Sequence, residues 1–199
     1  MLQSIKKKMY NYFENVNLII PASEKSGNLF LGNYKIAINP EFLVDNDISV
    51  IINCTIDSPY IYDILDYRTL NQYNLYTLET FKIPVYDSLL EYDINKMTEY
   101  LKIAIPFILK KCITEKKNIL IHCYAGKQRS SCVVAAVLFT LIDNNIMQFK
   151  EIQMDNDKSK LMKNIIHYII EKRPQAFSYA LRVNFQKSLE DFFHLKNIY

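Results

Sequence analysis

A chain of 199 residues is sized for one domain, and a half-hydrophobic composition with Phe 11 and Tyr 15 can fill a core, which excludes the charge-rich, aromatic-poor class that stays disordered. Lys+Arg 24 against Asp+Glu 21 leaves a formal charge of +3, too mild a balance for nucleic acid to be the main partner. Cys54, Cys112, Cys123 and Cys132 form no C-x-x-C pair, so the expectation is a soluble protein of a reducing, cytoplasmic compartment without a zinc site or disulfide framework.

In chain order, Leu2, Ile5, Met9, Phe13 and Val16 recur at helical spacing, which predicts an amphipathic helix over residues 2–17. Packing on its own domain is the simplest use of such a helix. A homodimer contact, or Lys6 to Lys8 resting on acidic lipid, are the alternatives. No apolar run follows those lysines, so no secretory signal is expected. Residues 28–32 read as a strand ending at a turn. Asn39-Pro40 reads as a helix start, a capping side chain followed by proline at the first helical position. Residues 48–54 are nearly all apolar and β-branched, as in a strand buried on both faces. A shorter strand is expected over 80–85.

Ile94, Met97, Leu101, Ile105 and Ile108 then mark a helix that Pro106 should kink or end. Residues 118–121 read as a strand and 129–142 as a helix. The longest apolar stretch, 133–142, is about half of the ~20 residues that span a bilayer, so no transmembrane segment is expected. Residues 143–157 are a polar connection, and 161–171 and 180–193 are two closing helices. Strands alternating with helices give an α/β domain with a central, mostly parallel twisted sheet flanked by helices.

The chemistry concentrates in His122-Cys123-Tyr124-Ala125-Gly126-Lys127-Gln128-Arg129-Ser130, between the strand at 118–121 and the following helix. Ligands of open α/β sheets gather at such strand-to-helix turns. The backbone N–H groups of Tyr124, Ala125, Gly126, Lys127, Gln128 and Arg129 can curl round a tetrahedral dianion, and the helix N-terminus adds partial positive charge. Gly126, one of Gly 3 in the chain, frees the backbone for the curl. The same field favours the thiolate of Cys123, the form that acts as nucleophile. Arg129 offers a planar fork for two phosphate oxygens as charge spreads in the transition state. Ser130 can donate its hydroxyl to the sulfur when that sulfur must leave. His122 orders the loop. A buried cysteine opening an ordinary helix would leave both Gly126 and Arg129 without a purpose.

The run H-C-Y-A-G-K-Q-R-S resembles the His-Cys-x5-Arg-Ser/Thr signature of protein tyrosine phosphatases, and its surroundings resemble the dual-specificity branch. The similar segments are Leu29-Phe30-Leu31-Gly32-Asn33, Ile51-Ile52-Asn53-Cys54-Thr55, and Ile83-Pro84-Val85-Tyr86-Asp87-Ser88 followed by Asp93-Ile94. Near the end, Arg173-Pro174 and Asn184-Phe185-Gln186 resemble the family's closing helix, with a longer interval between them. The resemblance implies residues 1–27 as an N-terminal helical arm and 28–199 as a dual-specificity-phosphatase-like catalytic domain.

It also implies an acid. By position in the matching segment this is Asp87, 36 residues before Cys123 (123 − 87), a slightly longer separation than usual, with Glu91 and Asp93 as substitutes. The implied activity is a metal-free, cofactor-free hydrolysis of phosphotyrosine and phosphoserine or phosphothreonine in protein substrates through a phospho-cysteine. Lys127 also resembles the loop of phosphoinositide phosphatases. A lipid phosphatase, an RNA 5′-triphosphatase of the same loop chemistry and a catalytically weak phosphate-binding module are therefore the alternatives. Cys54, on the strand that lies near the loop in this family, is a candidate redox partner of Cys123. Arg68 and the tyrosines of 60–76 are candidates to frame the pocket mouth.

Overall fold

The structure is a computed structural model, and it describes residues 15–88, 90–178 and 185–198. Five strands, β1 (Val16–Ile20), β2 (Leu29–Asn33), β3 (Ile48–Asn53), β4 (Glu79–Lys82) and β5 (Asn118–Cys123), form one sheet in the order β1-β2-β5-β3-β4. β5 lies parallel between β2 and β3, and β4 is parallel to β3, whereas β1 runs antiparallel along the β2 edge. This is the mostly parallel sheet expected from the alternation of elements.

The period of two along each strand splits the apolar residues between two cores. Leu29, Leu31, Val50, Ile52, Ile119 and Ile121 face one, and Phe30, Ile51 and Leu120 face the other. On the first face pack α4 (Glu91–Leu109), α5 (Arg129–Asp143), α6 (Lys158–Lys172) and α7 (Gln186–Phe193). The shorter α1 (Tyr34–Ala37), α2 (Pro40–Asp45) and α3 (Tyr67–Gln72) cover the second. α5 is buried along nearly its whole length, from Arg129 to Ile142, so it occupies the centre of its layer. Each fully buried Leu or Ile of this kind contributes roughly 1.5–3 kcal/mol.

Several sequence expectations are corrected. Residues 1–14, most of the predicted helix at 2–17, lie outside the described residues; Val16 and Asn17 belong to β1, because the branched, apolar run V-N-L-I-I finds β2 to pair with. The 80–85 strand stops at Lys82. Ile83 still donates its N–H to Asn53 O at 2.9 Å, but the next N–H on that side, that of Val85, turns back to Ile83 O at 2.9 Å, and the ladder ends. α4 passes through Pro106 to Leu109 and then widens into a π-type turn, Lys110–Thr114. The carbonyl that Pro106 leaves without its helical partner is that of Lys102, an exposed residue on the same outer face, where water can serve it. The end of the chain is helical over Gln186–Phe193; residues 179–184, where the expected 180–193 helix begins, are outside the described set. Asn39 caps α2 as predicted, its side chain accepting from Phe42 N at 2.8 Å. Among the described residues no helix is long and apolar enough to cross a membrane.

Candidate active site

β5 ends at Cys123 and α5 begins at Arg129, so the five residues between them form the turn at the carboxyl end of the central strand. Gly126 lies at φ +68°, and a Cβ there would stand 2.6 Å from Gly32 O and 2.7 Å from an Arg173 nitrogen, so only glycine fits. This curl brings Gly126 N–H to the Cys123 sulfur at 3.2 Å, while the Ser130 hydroxyl donates to the same sulfur from the first turn of α5, also at 3.2 Å. Two donors converging on one sulfur stabilise negative charge there.

The loop is held from outside by its carbonyls. Tyr34 N–H donates to Tyr124 O at 3.2 Å, and Phe177 N–H to Lys127 O at 2.8 Å. Between them Arg173 donates from Nη2 to Ala125 O at 3.2 Å and from Nε to Gly126 O at 2.7 Å. Arg173, at the C-terminus of α6, is fully buried and was not singled out as a site residue in the sequence. One signal was available: Arg173-Pro174 is among the segments that resemble the family, although nothing in that dipeptide names the loop as its partner.

Arg129 donates from Nη1 to Val85 O at 3.0 Å, and its Nη2 lies 3.3 Å from Asp87 Oδ2. The structure thus brings Cys123, Arg129, Ser130 and Asp87 together around one loop. Asp87 and Arg129 line a cleft of about 420 Å³, with the 55–59 loop and Tyr34, Tyr86 and Tyr124 as the other walls. The tyrosines of the cleft are therefore not those of the 60–76 stretch, where Tyr67 pairs with Tyr76 and Tyr60 with Tyr62. Arg68 lies in α3 and is absent from the lining. Glu91 and Asp93 sit in the first turn of α4 and do not line the cleft either. Asp93 is buried and accepts from the Ser88 hydroxyl.

The 55–59 wall is fixed by Asn53. Its Oδ1 accepts from Thr55 N at 3.0 Å and Thr55 Oγ1 at 2.7 Å, and its Nδ2 donates to Ser58 O at 3.0 Å. Next to Asn53, Cys54 donates its N–H to His122 O at 2.8 Å. Asn53 is in register with His122, so Cys54 and Cys123 follow side by side at the ends of neighbouring strands. Burial, and then the nearby Cys123, push the Cys54 thiol well up, and all four cysteines are free. His122 is buried between the strands, and burial pushes its imidazole down to about 4, so at neutral pH it is uncharged beneath the loop.

The comparisons with known proteins give the family and the fold. The family model described as the dual specificity phosphatase catalytic domain matches residues 29–192. The tyrosine-protein phosphatase vhp-1 of Caenorhabditis elegans is 29% identical over 161 residues, which is 81% of this chain and 19% of that protein. A probable dual specificity protein phosphatase H1 homolog of fowlpox virus is 42% identical over 43 residues, 22% of this chain and 26% of the viral protein. The matched segments thus cover about a fifth to a quarter of the length of these relatives. Among solved structures, the Yvh1 phosphatase domain from Chaetomium thermophilum superposes with a TM-score of 0.62 at 18% identity, covering 90% of this chain and 95% of that one, a likeness of fold.

Proposed function

Since the chain belongs to the dual specificity phosphatase family, we propose that it hydrolyses phosphotyrosine and phosphoserine or phosphothreonine in protein substrates through a phospho-cysteine at Cys123. The observation that carries this reading is the convergence of Gly126 N–H and Ser130 O–H on the Cys123 sulfur, beside the Arg129–Asp87 pair.

In the first step the Cys123 sulfur attacks phosphorus. The N–H groups of residues 124–129 and the Arg129 fork receive the equatorial oxygens, and Asp87 gives its proton to the departing oxygen. In the second step the Asp87 carboxylate takes a proton from water, which attacks the phospho-cysteine. Phosphate leaves, and the electron pair of the broken S–P bond returns to sulfur under the Ser130 hydroxyl. Loop amides and guanidinium supply the positive field for both steps, and His122 supports the loop from below without moving protons.

Cys54 suits the role of redox partner, since its place beside Cys123 lets an oxidised Cys123 condense with it to a disulfide instead of passing to irreversible oxidation states. A nucleophilic thiolate also suits a reducing, cytoplasmic compartment. Self-association through the N-terminal segment is the remaining expectation. Sedimentation of the chain with and without residues 1–20 tests it, and an unchanged mass removes it.

The test of the activity is hydrolysis of p-nitrophenyl phosphate in EDTA by wild type and Cys123→Ser. Turnover that disappears in Cys123→Ser while phosphate binding survives supports the covalent route; equal rates sink it. A panel of phosphopeptides, phosphoinositides and 5′-triphosphate RNA then separates protein phosphatase from the two alternative substrates.

A further inference from the structure

We propose that Arg173 is a positioning residue for the phosphate-binding loop, turning the Ala125–Gly126 and Gly126–Lys127 peptide groups so that their N–H groups face Cys123 and the phosphate. The inference deepens the proposed function and rests on Cys123 as its nucleophile.

The argument is geometric. A trans peptide is planar, and its C=O and N–H point in opposite directions. Holding a carbonyl from outside the loop therefore aims the N–H of the same peptide inward. Arg173 Nη2 holds Ala125 O at 3.2 Å, and the N–H of that very peptide, Gly126 N–H, reaches the Cys123 sulfur at 3.2 Å on the other side. Arg173 Nε holds Gly126 O at 2.7 Å, which turns Lys127 N–H the same way. Phe177 N–H repeats the device on Lys127 O at 2.8 Å, and Phe177 itself is at φ +54°, a costly conformation for an aromatic residue. The third anchor is Asn17 Oδ1, which accepts from Arg173 Nη1 at 2.8 Å and ties the brace to β1.

The charge points to the same role. Among the described residues all three partners of Arg173 are uncharged, two backbone carbonyls and an amide oxygen. Burial lowers Arg173 to about 10, with the Cys123 sulfur pulling the other way, so it is a cation at neutral pH. A buried cation without a carboxylate is costly unless the site itself provides an anion. Around the sulfur stand Arg129 and Ser130 from α5, Asp87 against Arg129, the uncharged His122 from β5 and the Cys54 thiol just past β3. The thiolate, and then the phosphate dianion, are the negative charges this guanidinium can answer through the peptides it holds. Lysine offers one point of attachment where two carbonyls and an amide must be gripped together.

The experiment measures inorganic vanadate affinity by calorimetry, and the rate of Cys123 alkylation by iodoacetate against pH. The proteins are wild type, Arg173→Met, Arg173→Lys and Asn17→Ala, with thermal melts alongside. Arg173→Met should weaken vanadate binding by about ten- to a hundredfold, the range for lost charge-assisted hydrogen bonds, and move the alkylation midpoint to higher pH. Arg173→Lys should recover the midpoint more than the affinity. If folded Arg173→Met keeps both the affinity and the midpoint, Arg173 only packs and the inference is wrong. Should Arg173→Met fail to fold, Asn17→Ala decides: a smaller change in the same direction supports the brace, and wild-type values overturn it. Neither readout needs turnover, so a wild type that fails to hydrolyse p-nitrophenyl phosphate counts against the phosphatase reading alone.

Discussion

Asp87 Oδ2 lies 3.3 Å from Nη2 of Arg129, the guanidinium that also grips Val85 O at 3.0 Å. The residue proposed to clamp phosphate therefore already holds the residue proposed to protonate the leaving group. An arriving phosphate competes for the same fork. In the proposed mechanism phosphate takes over the fork, and Asp87 is freed toward the leaving oxygen.

Asp87→Asn should lower kcat on phenyl phosphate by roughly 10²–10⁴, the usual contribution of a positioned general acid. The loss should be smaller on p-nitrophenyl phosphate, whose leaving group needs little help. Unaltered rates on both substrates would move the acid to Glu91 or Asp93. That move would need the first turn of α4 to swing toward the loop, since Asp93 is buried against Ser88.

Ser130→Ala removes the hydroxyl that donates to the Cys123 sulfur at 3.2 Å. Its effect should fall on the second step, where the sulfur leaves. A pre-steady-state burst of nitrophenol, with a steady rate lower by about tenfold or more, is the expected trace. A uniform slowing without a burst would place the hydroxyl in the first step.

Gly126→Ala forces a Cβ to within 2.6 Å of Gly32 O and of the Arg173 fork at 2.7 Å, at a φ of +68°. The left-handed conformation alone costs about 1–2 kcal/mol, and the clash must displace the loop. Loss of turnover with a lowered melting temperature is expected. A variant as active as wild type would mean that the curl at Gly126 is not the working conformation of the loop.

How much of this was legible depended on sequence distance. Cys123, Gly126, Arg129 and Ser130 fall within one short run, and a strand–loop–helix setting is enough to interpret them. Asp87 was found only through the similar segment around it, since a loop carboxylate carries no spacing signal of its own. Arg173 reaches the loop from the end of α6 and Asn17 reaches Arg173 from β1, and no local spacing links either to the loop. β1 went unread because the edge strand V-N-L-I-I, which does not alternate in exposure, needs β2 to declare it, whereas Val16 also completes a helical spacing. Pro106 does not end the helix, because the one carbonyl it leaves without a helical partner belongs to Lys102, an exposed residue.

Cys54 makes a separable prediction. Hydrogen peroxide should inactivate wild type in a way that dithiothreitol reverses, with a Cys54–Cys123 disulfide detectable by mass spectrometry. Cys54→Val should be inactivated irreversibly under the same treatment. Cys112 and Cys132 should stay reduced throughout, since burial pushes the Cys112 thiol up to about 11 and raises Cys132 further. Equal reversibility in Cys54→Val would remove Cys54 from the protective role.

His122 sets the pH dependence of stability beneath the loop. Burial lowers its imidazole from 6.5 to about 4, with Arg129 and Lys82 adding to the effect. Unfolded, the same side chain titrates near its ordinary value, so between roughly pH 6.5 and 4 the unfolded chain binds more protons than the folded one. Stability contributed by the neutral imidazole is therefore complete above that window and is lost as pH falls through it. At ~1.4 kcal/mol per pH unit, the loss is on the order of 3 kcal/mol by pH 4. Urea denaturation at pH 7 and at 4.5 should show this for wild type, and the slope should be shallower in His122→Asn. Carboxylates held low by partners, such as Glu79 and Glu115 beside Lys111, titrate alike in both proteins and cancel in the difference. Equal slopes would mean that His122 accepts a proton within the fold and cannot be the uncharged support on which the loop rests.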